Sequence, residues 1–159
     1  DGGNIRDWIF VEDHCAGIVR ALESGEPGEQ YAFGGNNELT NLQVVDAICD
    51  GLETPRPPRE NEALKRQGFD HYAELKSYVD DRPGHDRRYA IDASKAKREL
   101  DWSPQYDFPT ALNQTIAWYL AHEDWRAAIH AEGETRERQG LSTADPDATN
   151  SNSDEANQS

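Results

Sequence analysis

Residues 81–92, with the sequence DRPGHDRRYAID, constrain this chain more than any other segment. Three arginines, a histidine and three aspartates surround a Pro-Gly turn. Proline fixes the backbone and glycine permits a sharp reversal, so Arg82 and His85 can point towards one ligand. An arginine guanidinium matches two phosphate oxygens, which favours a rigid diphosphate-binding loop. A structural loop of salt bridges uses the same residue types, so the residues alone leave both interpretations open.

The chain is strongly acidic, with a formal net charge of -15 over 159 residues. Such a surface keeps a protein soluble by self-repulsion and opposes binding to nucleic acid or to an anionic membrane. Neither a membrane-length apolar run nor a secretory signal pattern is present in the sequence. We therefore expect a cytoplasmic protein with no nucleic acid and no membrane as partners. Cys15 and Cys49 are expected to be reduced core residues, because both fall in helical patterns.

Aromatic and β-branched stretches predict short strands, and apolar residues three and four positions apart predict helices. The predicted strands are residues 5–11, 30–33, 75–79 and 88–91. The predicted helices run from Glu12 to Gly25, from a Thr40–Gln43 capping box to Leu52, from Asp92 to Leu100, from Asp107 to Leu120 and over residues 124–132. This order predicts an α/β chain with a polar loop at residues 54–69.

The chain is expected to contain one folded domain, residues 1–132. Residues 133–159 form an acidic tail with almost no large apolar side chains, so they are expected to be disordered. The sequence starts at Asp1 and contains no methionine, so we expect it to be a fragment of a longer reading frame.

Four phrases together resemble a known family. IRDWIFVEDH (5–14), GGNNELTN (34–41), DRPGHDRRYAID (81–92) and TIAWYL (115–120) resemble, in the same order, the C-terminal half of the dTDP-glucose 4,6-dehydratases. These are nucleotide-sugar enzymes of the extended short-chain dehydrogenase/reductase superfamily. The likeness runs to about Trp125, and DRPGHDRRYAID is its most specific part.

The resemblance implies a Rossmann-type lyase that is a cytoplasmic homodimer. Its N-terminal half holds NAD, and its C-terminal portion binds the diphosphate of a dTDP-sugar. A hydride passes from C4 of glucose to NAD, water is eliminated across C5 and C6, and the hydride returns to C6 to give dTDP-4-dehydro-6-deoxyglucose. We expect this chain to be the C-terminal substrate-binding portion, with the dinucleotide-binding half absent and with no catalytic residue of its own.

The resemblance also implies five substrate-binding residues. Asp81, Arg82 and His85 match the substrate-binding segment, with Arg82 as the main phosphate ligand, His85 as a further donor and Asp81 orienting Arg82. Arg6 matches an arginine that contacts the diphosphate, and Asn41 matches a nucleotide-contacting asparagine at the start of a helix, a place that suits anions.

Two simpler interpretations of these residues remain open from the sequence. Arg6 could form a surface ion pair with Asp7, and Asn41 could support the helix cap.

The sequence departs from the family pattern in two ways. The glycine-rich dinucleotide loop is absent, and so is the acidic pair that drives elimination. Tyr72 and Lys76 have the Tyr-x-x-x-Lys spacing of the superfamily's catalytic pair, but no nucleotide loop precedes them, so we expect this spacing to be fortuitous. Alternative functions are another nucleotide-sugar epimerase or decarboxylase, or a non-catalytic nucleotide-sugar-binding remnant.

Overall fold

The computed structural model describes residues 1–81 and 83–131. Arg82 and the predicted tail at residues 133–159 lie outside these residues. The described elements are β1 (Ile5–Asp7), α1 (Val11–Ser24), β2 (Glu38–Thr40), α2 (Asn41–Glu53), a 3-10 turn (Pro58–Glu60), α3 (Glu62–Gln67), a second 3-10 turn (Tyr72–Leu75), α4 (Ser94–Leu100), α5 (Phe108–Ala121) and α6 (Glu123–Ala131).

The sheet is small but joins three distant parts of the chain. Strand β1 pairs antiparallel with β2, and Arg6 lies opposite Leu39. On the other side of β1, Ile5 forms a single parallel bridge with Arg88. The backbone bonds of this bridge run from the Ile5 N–H to the Arg87 carbonyl at 2.8 Å and from the Tyr89 N–H to the Ile5 carbonyl at 3.0 Å. The bridge therefore fixes the arginine-rich loop beside β1.

The sequence predicted more strand than the described residues contain. Residues 30–33 and 75–79 form no strand there, residues 88–91 contribute only the bridge at Arg88, and the strand predicted at 5–11 ends at Asp7. A strand needs a ladder partner, and an apolar run does not supply one. Phe33, for example, packs edge-on against Trp102 with ring centroids 4.8 Å apart. The α/β prediction is therefore right in element types but overestimates the sheet.

The helix boundaries follow local capping chemistry. Thr40 accepts a hydrogen bond from the Gln43 N–H, and the Gln43 side chain accepts one from the Thr40 N–H, which confirms the predicted capping box of α2. Asp107 caps α5 by accepting from the Thr110 N–H at 2.8 Å. Asp92 accepts from the Ser94 N–H at 2.9 Å, just before α4 begins. Helix α1 ends at Gly25, as predicted.

The core includes two small clusters. One contains Cys49, Leu64 and Tyr72. The other contains Ala96, Leu100 and Trp102. Cys15 and the large apolar residues of α1 belong to neither cluster.

The prediction that both cysteines are core residues is wrong for Cys15, which is exposed. The apolar residues whose spacing predicted α1 are also exposed. Ile18 has 51%, Val19 50% and Leu22 86% of its full accessible surface. Helical periodicity identifies an apolar face, but it does not show whether the face is covered.

A buried carboxylate fixes α1 to the segment before α5. Asp13 is buried, and its two oxygens accept from the N–H groups of Gln105 at 2.9 Å and Tyr106 at 3.2 Å. Its backbone carbonyl accepts from Trp102 Nε1 at 3.2 Å. Because each polar atom has a partner, this buried acid is a structural residue.

The described ranges lack two further features. None of the helices there combines the length and the apolar character needed to cross a bilayer. Those ranges also hold no group of three or more His, Cys, Asp and Glu side chains that could bind a metal ion.

Candidate functional site

Arg6 and His85 meet in space where β1 bridges to the arginine-rich loop. Arg6 Nη2 lies 2.7 Å from His85 Nε2 and donates to the Asp86 carbonyl at 3.0 Å. Arg6 Nη1 donates to its own neighbour, the Ile5 carbonyl, at 2.6 Å. The guanidinium is therefore fixed by three neutral acceptors.

The positive charge of Arg6 has no ion-pair partner among the described residues. The alternative of an Arg6–Asp7 pair is not realised, because Asp7 Oδ1 instead accepts from the Asn37 N–H at 2.9 Å. The Arg6 guanidinium carbon lies 4.4 Å from the centre of the Tyr89 ring, a cation–π contact. A guanidinium with only neutral partners retains the capacity to attract an anion.

The partners of His85 determine its tautomer. His85 Nδ1 lies 2.7 Å from Asp81 Oδ1, which can only accept, and Nε2 faces Arg6, which can only donate. The ring therefore carries its proton on Nδ1 and presents the Nε2 lone pair to Arg6. With the opposite tautomer, two donors would meet at Nε2 and a lone pair would face a carboxylate.

A cavity of about 440 Å³ opens beside this pair, between the start of α2 and residues 75–85. Three of the predicted site residues line it: Asn41, Asp81 and His85. The side-chain amide of Asn41 makes no hydrogen bond to any residue in the described ranges. Asn41 therefore offers two donors and an acceptor to a ligand in this cavity.

The start of α2 itself is already capped by protein groups. The Asn41 N–H donates to the Asn4 carbonyl at 3.0 Å, and the Leu42 N–H donates to the Gly2 carbonyl at 2.9 Å. The Gln43 N–H donates to Thr40. These backbone N–H groups are therefore already bonded within the protein, and the predicted contact of Asn41 with a nucleotide would use its side chain.

The other described arginines of the 81–92 segment are structural. Arg87 pairs with Asp1 at 2.8 Å. Arg88 forms a two-pronged bond with Glu38 at 2.7 and 2.9 Å, and this hydrogen bond raises the pKa of Arg88. The two interpretations of the segment thus both apply to its described residues: Asp81 and His85 line the cavity, and Arg87 and Arg88 form salt bridges.

Tyr72 and Lys76 lie in different environments and have different partners. Tyr72 is buried in the first core cluster, and its hydroxyl donates to the Arg56 carbonyl at 2.8 Å. Lys76 lines the cavity, but its ammonium group binds Asp46 at 2.6 Å, and this hydrogen bond raises the pKa of Lys76. The prediction that their spacing is fortuitous agrees with these separate environments.

Of the five predicted site residues, the structure brings four together: Arg6, Asn41, Asp81 and His85. The fifth, Arg82, lies outside the described residues. Asp81 also pairs with His85, while its role of orienting Arg82 stays a prediction because Arg82 lies outside the described residues. The sequence analysis missed Asn4, which is buried against His85 and Asp86, because no motif distinguishes this asparagine from a loop residue.

The chain is similar to known dehydratases over most of its length. It is 48% identical over 125 residues to a dTDP-glucose 4,6-dehydratase of Xanthomonas campestris, covering 79% of this chain and 33% of that protein. A dTDP-glucose 4,6-dehydratase of Escherichia coli is 44% identical over 141 residues, covering 89% of this chain and 37% of that protein. The chain thus spans about a third of the length of these relatives.

Solved structures give the same result. A dTDP-glucose 4,6-dehydratase from Bacillus anthracis, in complex with NAD, matches with a TM-score of 0.61 and 43% identity over 79% of this chain and 34% of that one. A dTDP-glucose 4,6-dehydratase from Streptomyces venezuelae, with NAD and TYD bound, matches with a TM-score of 0.64 and 37% identity over the same shares. The family model described as GDP-mannose 4,6 dehydratase matches residues 1–115. The chain therefore belongs to the GDP-mannose 4,6-dehydratase family of nucleotide-sugar enzymes.

Proposed function

We propose that this chain forms the nucleoside-diphosphate-binding part of an NAD-dependent dTDP-glucose 4,6-dehydratase, a lyase. The observation that carries the proposal is Arg6, whose guanidinium is held by neutral groups, one of which, His85, lines the cavity. A diphosphate would supply the ion-pair partner that Arg6 lacks among the described residues. The similarity to dTDP-glucose 4,6-dehydratases supports the choice of nucleotide.

Each described site residue would have its own role in binding the nucleoside diphosphate. Arg6 would attract and orient the diphosphate through a charge-assisted hydrogen bond. Asn41 would bind through its free amide. His85, whose Nδ1 is bonded to Asp81 and whose Nε2 faces Arg6, would line the site and orient Arg6, because neither ring nitrogen is left to donate to the ligand. Arg82 remains a predicted phosphate ligand.

We further propose that the chain corresponds to the C-terminal, substrate-binding portion of the complete enzyme. The described residues contain a single two-stranded antiparallel sheet, whereas dinucleotide binding in Rossmann folds uses a parallel sheet with a glycine-rich first turn. Here the connection from β1 to α1 is Trp8-Ile9-Phe10 and has no glycine. The exposed apolar face of α1 is also consistent with burial against another part of a larger enzyme.

NAD fits the family, but the described residues offer no glycine-rich turn between a strand and a helix that would hold it. The β1–α1 turn offers a pyrophosphate neither glycines nor a close backbone approach. We therefore assign the NAD site to another part of the enzyme and derive no step through it. The same holds for the acid–base groups of the elimination, so the chain alone should not turn over dTDP-glucose. A cytoplasmic homodimer remains our proposal for the complete enzyme.

Titration calorimetry of the 159-residue chain with nucleoside diphosphates tests the binding proposal. We expect dTDP to bind and to be preferred over UDP and GDP. Preferred binding of GDP would favour a GDP-sugar substrate instead, and no binding of any of the three would overturn the proposed role. Inorganic diphosphate serves as a control, because it measures the contribution of charge without the nucleoside.

The DNA upstream of the Asp1 codon distinguishes a dehydratase from the alternative of an epimerase or decarboxylase. Sequencing the DNA upstream of the Asp1 codon should reveal an in-frame segment with a glycine-rich loop, an Asp-Glu pair and a Tyr-x-x-x-Lys pair. The glycine-rich loop and Tyr-x-x-x-Lys without the acidic pair would favour the epimerase or decarboxylase. A stop codon without these motifs would favour a non-catalytic binding remnant.

A further inference from the structure

Asn4 lies at the junction of three segments that build the candidate site. It is 5% exposed, one of only two buried polar or charged residues within the described ranges. Its backbone carbonyl accepts from the Asn41 N–H at 3.0 Å, which fixes the start of α2. Its side chain contacts residues 85–87 of the arginine-rich loop, more than eighty positions away in the sequence.

The partners of the Asn4 amide fix its orientation. Nδ2 donates to the Asp86 carbonyl at 3.3 Å, and Oδ1 accepts from Arg87 Nη1 at 3.5 Å. Rotating the amide by half a turn would place a carbonyl against a carbonyl and a donor against a donor. Nδ2 also lies 3.2 Å from His85 Nδ1, so the Asn4 amide is in contact with the ring and limits its position.

We infer that Asn4 is a positioning residue for the candidate site. Asn4 acts through Asn41 and His85, which line the cavity. Its backbone carbonyl fixes the start of α2, where Asn41 lies, and its side-chain amide holds the His85–Asp86 backbone. Arg6 also depends on this backbone, because the Asp86 carbonyl is an acceptor for both Asn4 and Arg6. Loss of the amide should therefore leave the binding groups present but poorly aligned.

The inference rests on the proposed function in one respect, because alignment matters only if the cavity binds a nucleotide. The positioning itself can be measured without ligand. In the native chain, nitrogen NMR of His85 should show one protonated Nδ1 and one unprotonated Nε2. In Asn4→Ala, we expect the two His85 nitrogen signals to broaden or to move towards an average, since the ring is no longer confined. The His85 signals are identified with His85→Gln.

The second measurement is the affinity for dTDP. Asn4→Ala should weaken dTDP binding by about tenfold, because poor alignment of the binding groups should cost about as much affinity as the loss of one hydrogen bond. Asn4→Asp keeps the size of the side chain and removes the donor, so it should weaken binding in the same direction. If the native chain does not bind dTDP, the proposed function fails, while the NMR comparison still decides the positioning role.

Asp13→Asn is the matched control, because Asp13 is the other buried polar residue and lies outside the cavity. It should lower the melting temperature without changing the His85 signals or the dTDP affinity. The inference is overturned if the Asn4 variants fold and leave the His85 signals unchanged, or if Asp13→Asn changes them equally. Unfolding of both Asn4 variants would also overturn it, since Asn4 would then support the whole fold.

Discussion

Arg6 Nη2 and His85 Nε2 lie 2.7 Å apart, although 79 positions separate the two residues in the sequence. The contact joins β1 to the arginine-rich loop and requires the ring nitrogen to be unprotonated, since the guanidinium can only donate. One charged group and one ring thus fix each other beside the cavity. This pairing makes the alignment of Arg6 dependent on the loop, and it guides the first prediction.

Arg6→Ala should weaken dTDP binding by about 2 to 5 kcal/mol, because it removes one partner of a charge-assisted contact with a diphosphate. Titration calorimetry measures the change directly. Arg88→Ala is the control, since Arg88 is also an arginine of this sheet but binds Glu38 away from the cavity. Equal losses for both variants would contradict a specific role of Arg6 and indicate a general effect of charge. Arg82→Ala is expected to weaken binding in the same range as Arg6→Ala.

Asn41→Ala should lower dTDP affinity with little change in stability. The Asn41 side chain makes no hydrogen bond to the described residues, so its removal leaves no protein group unpaired. Binding should weaken by about 1 kcal/mol, the usual contribution of one hydrogen bond. Gln43→Ala should show the reverse result: it breaks the capping box and lowers stability by about 1 kcal/mol while affinity is unchanged. Calorimetric titration and thermal unfolding of both variants separate the two roles.

Local signals explain what the sequence predicted well. The predicted Thr40–Gln43 capping box depends on residues three positions apart and is present in the structure. The predicted start of a helix at Asp107 has an equally local cause, since the Asp107 side chain accepts from the Thr110 N–H. The end of α1 at Gly25 is likewise a local feature. Strands at residues 30–33 and 75–79 were predicted wrongly, because a strand requires a partner whose position is not local.

The contacts within the candidate site were likewise not predictable from local sequence patterns. Family resemblance indicated Arg6, Asn41, Asp81 and His85, but not which of them contact each other. The pairing of Asp81 with His85 and the burial of Asn4 depend on how β1, α2 and the loop meet. These are long-range relations, which a pattern of residue types does not contain.

Tyr72→Phe should reduce stability modestly and leave nucleotide binding unchanged. The Tyr72 hydroxyl donates to the Arg56 carbonyl at 2.8 Å and accepts from Asn61 Nδ2 at 3.3 Å, so its loss should cost about 1 to 2 kcal/mol of unfolding free energy. In the complete enzyme, turnover should be intact. Chemical denaturation measures the stability change, and a large loss of turnover in a folded variant would mean that Tyr72 has a catalytic role after all.

Asp107 should make stability depend on pH in the acidic range. The hydrogen bonds from Thr110 lower the pKa of Asp107 below its ordinary value of 3.8. A carboxyl whose pKa is lower in the folded state stabilises fully above its unfolded pKa, and this contribution is lost as the pH falls through the folded pKa. Thermal unfolding of the native chain between roughly pH 5 and pH 2 should therefore show a decline to which Asp107 contributes. Asp107→Asn keeps an acceptor for the start of α5 but cannot titrate, so its melting temperature should fall less over this range. Asp107→Ala, which lacks the cap altogether, should be less stable than Asp107→Asn at every pH; an unchanged decline in both variants would mean that other carboxylates carry the acid sensitivity.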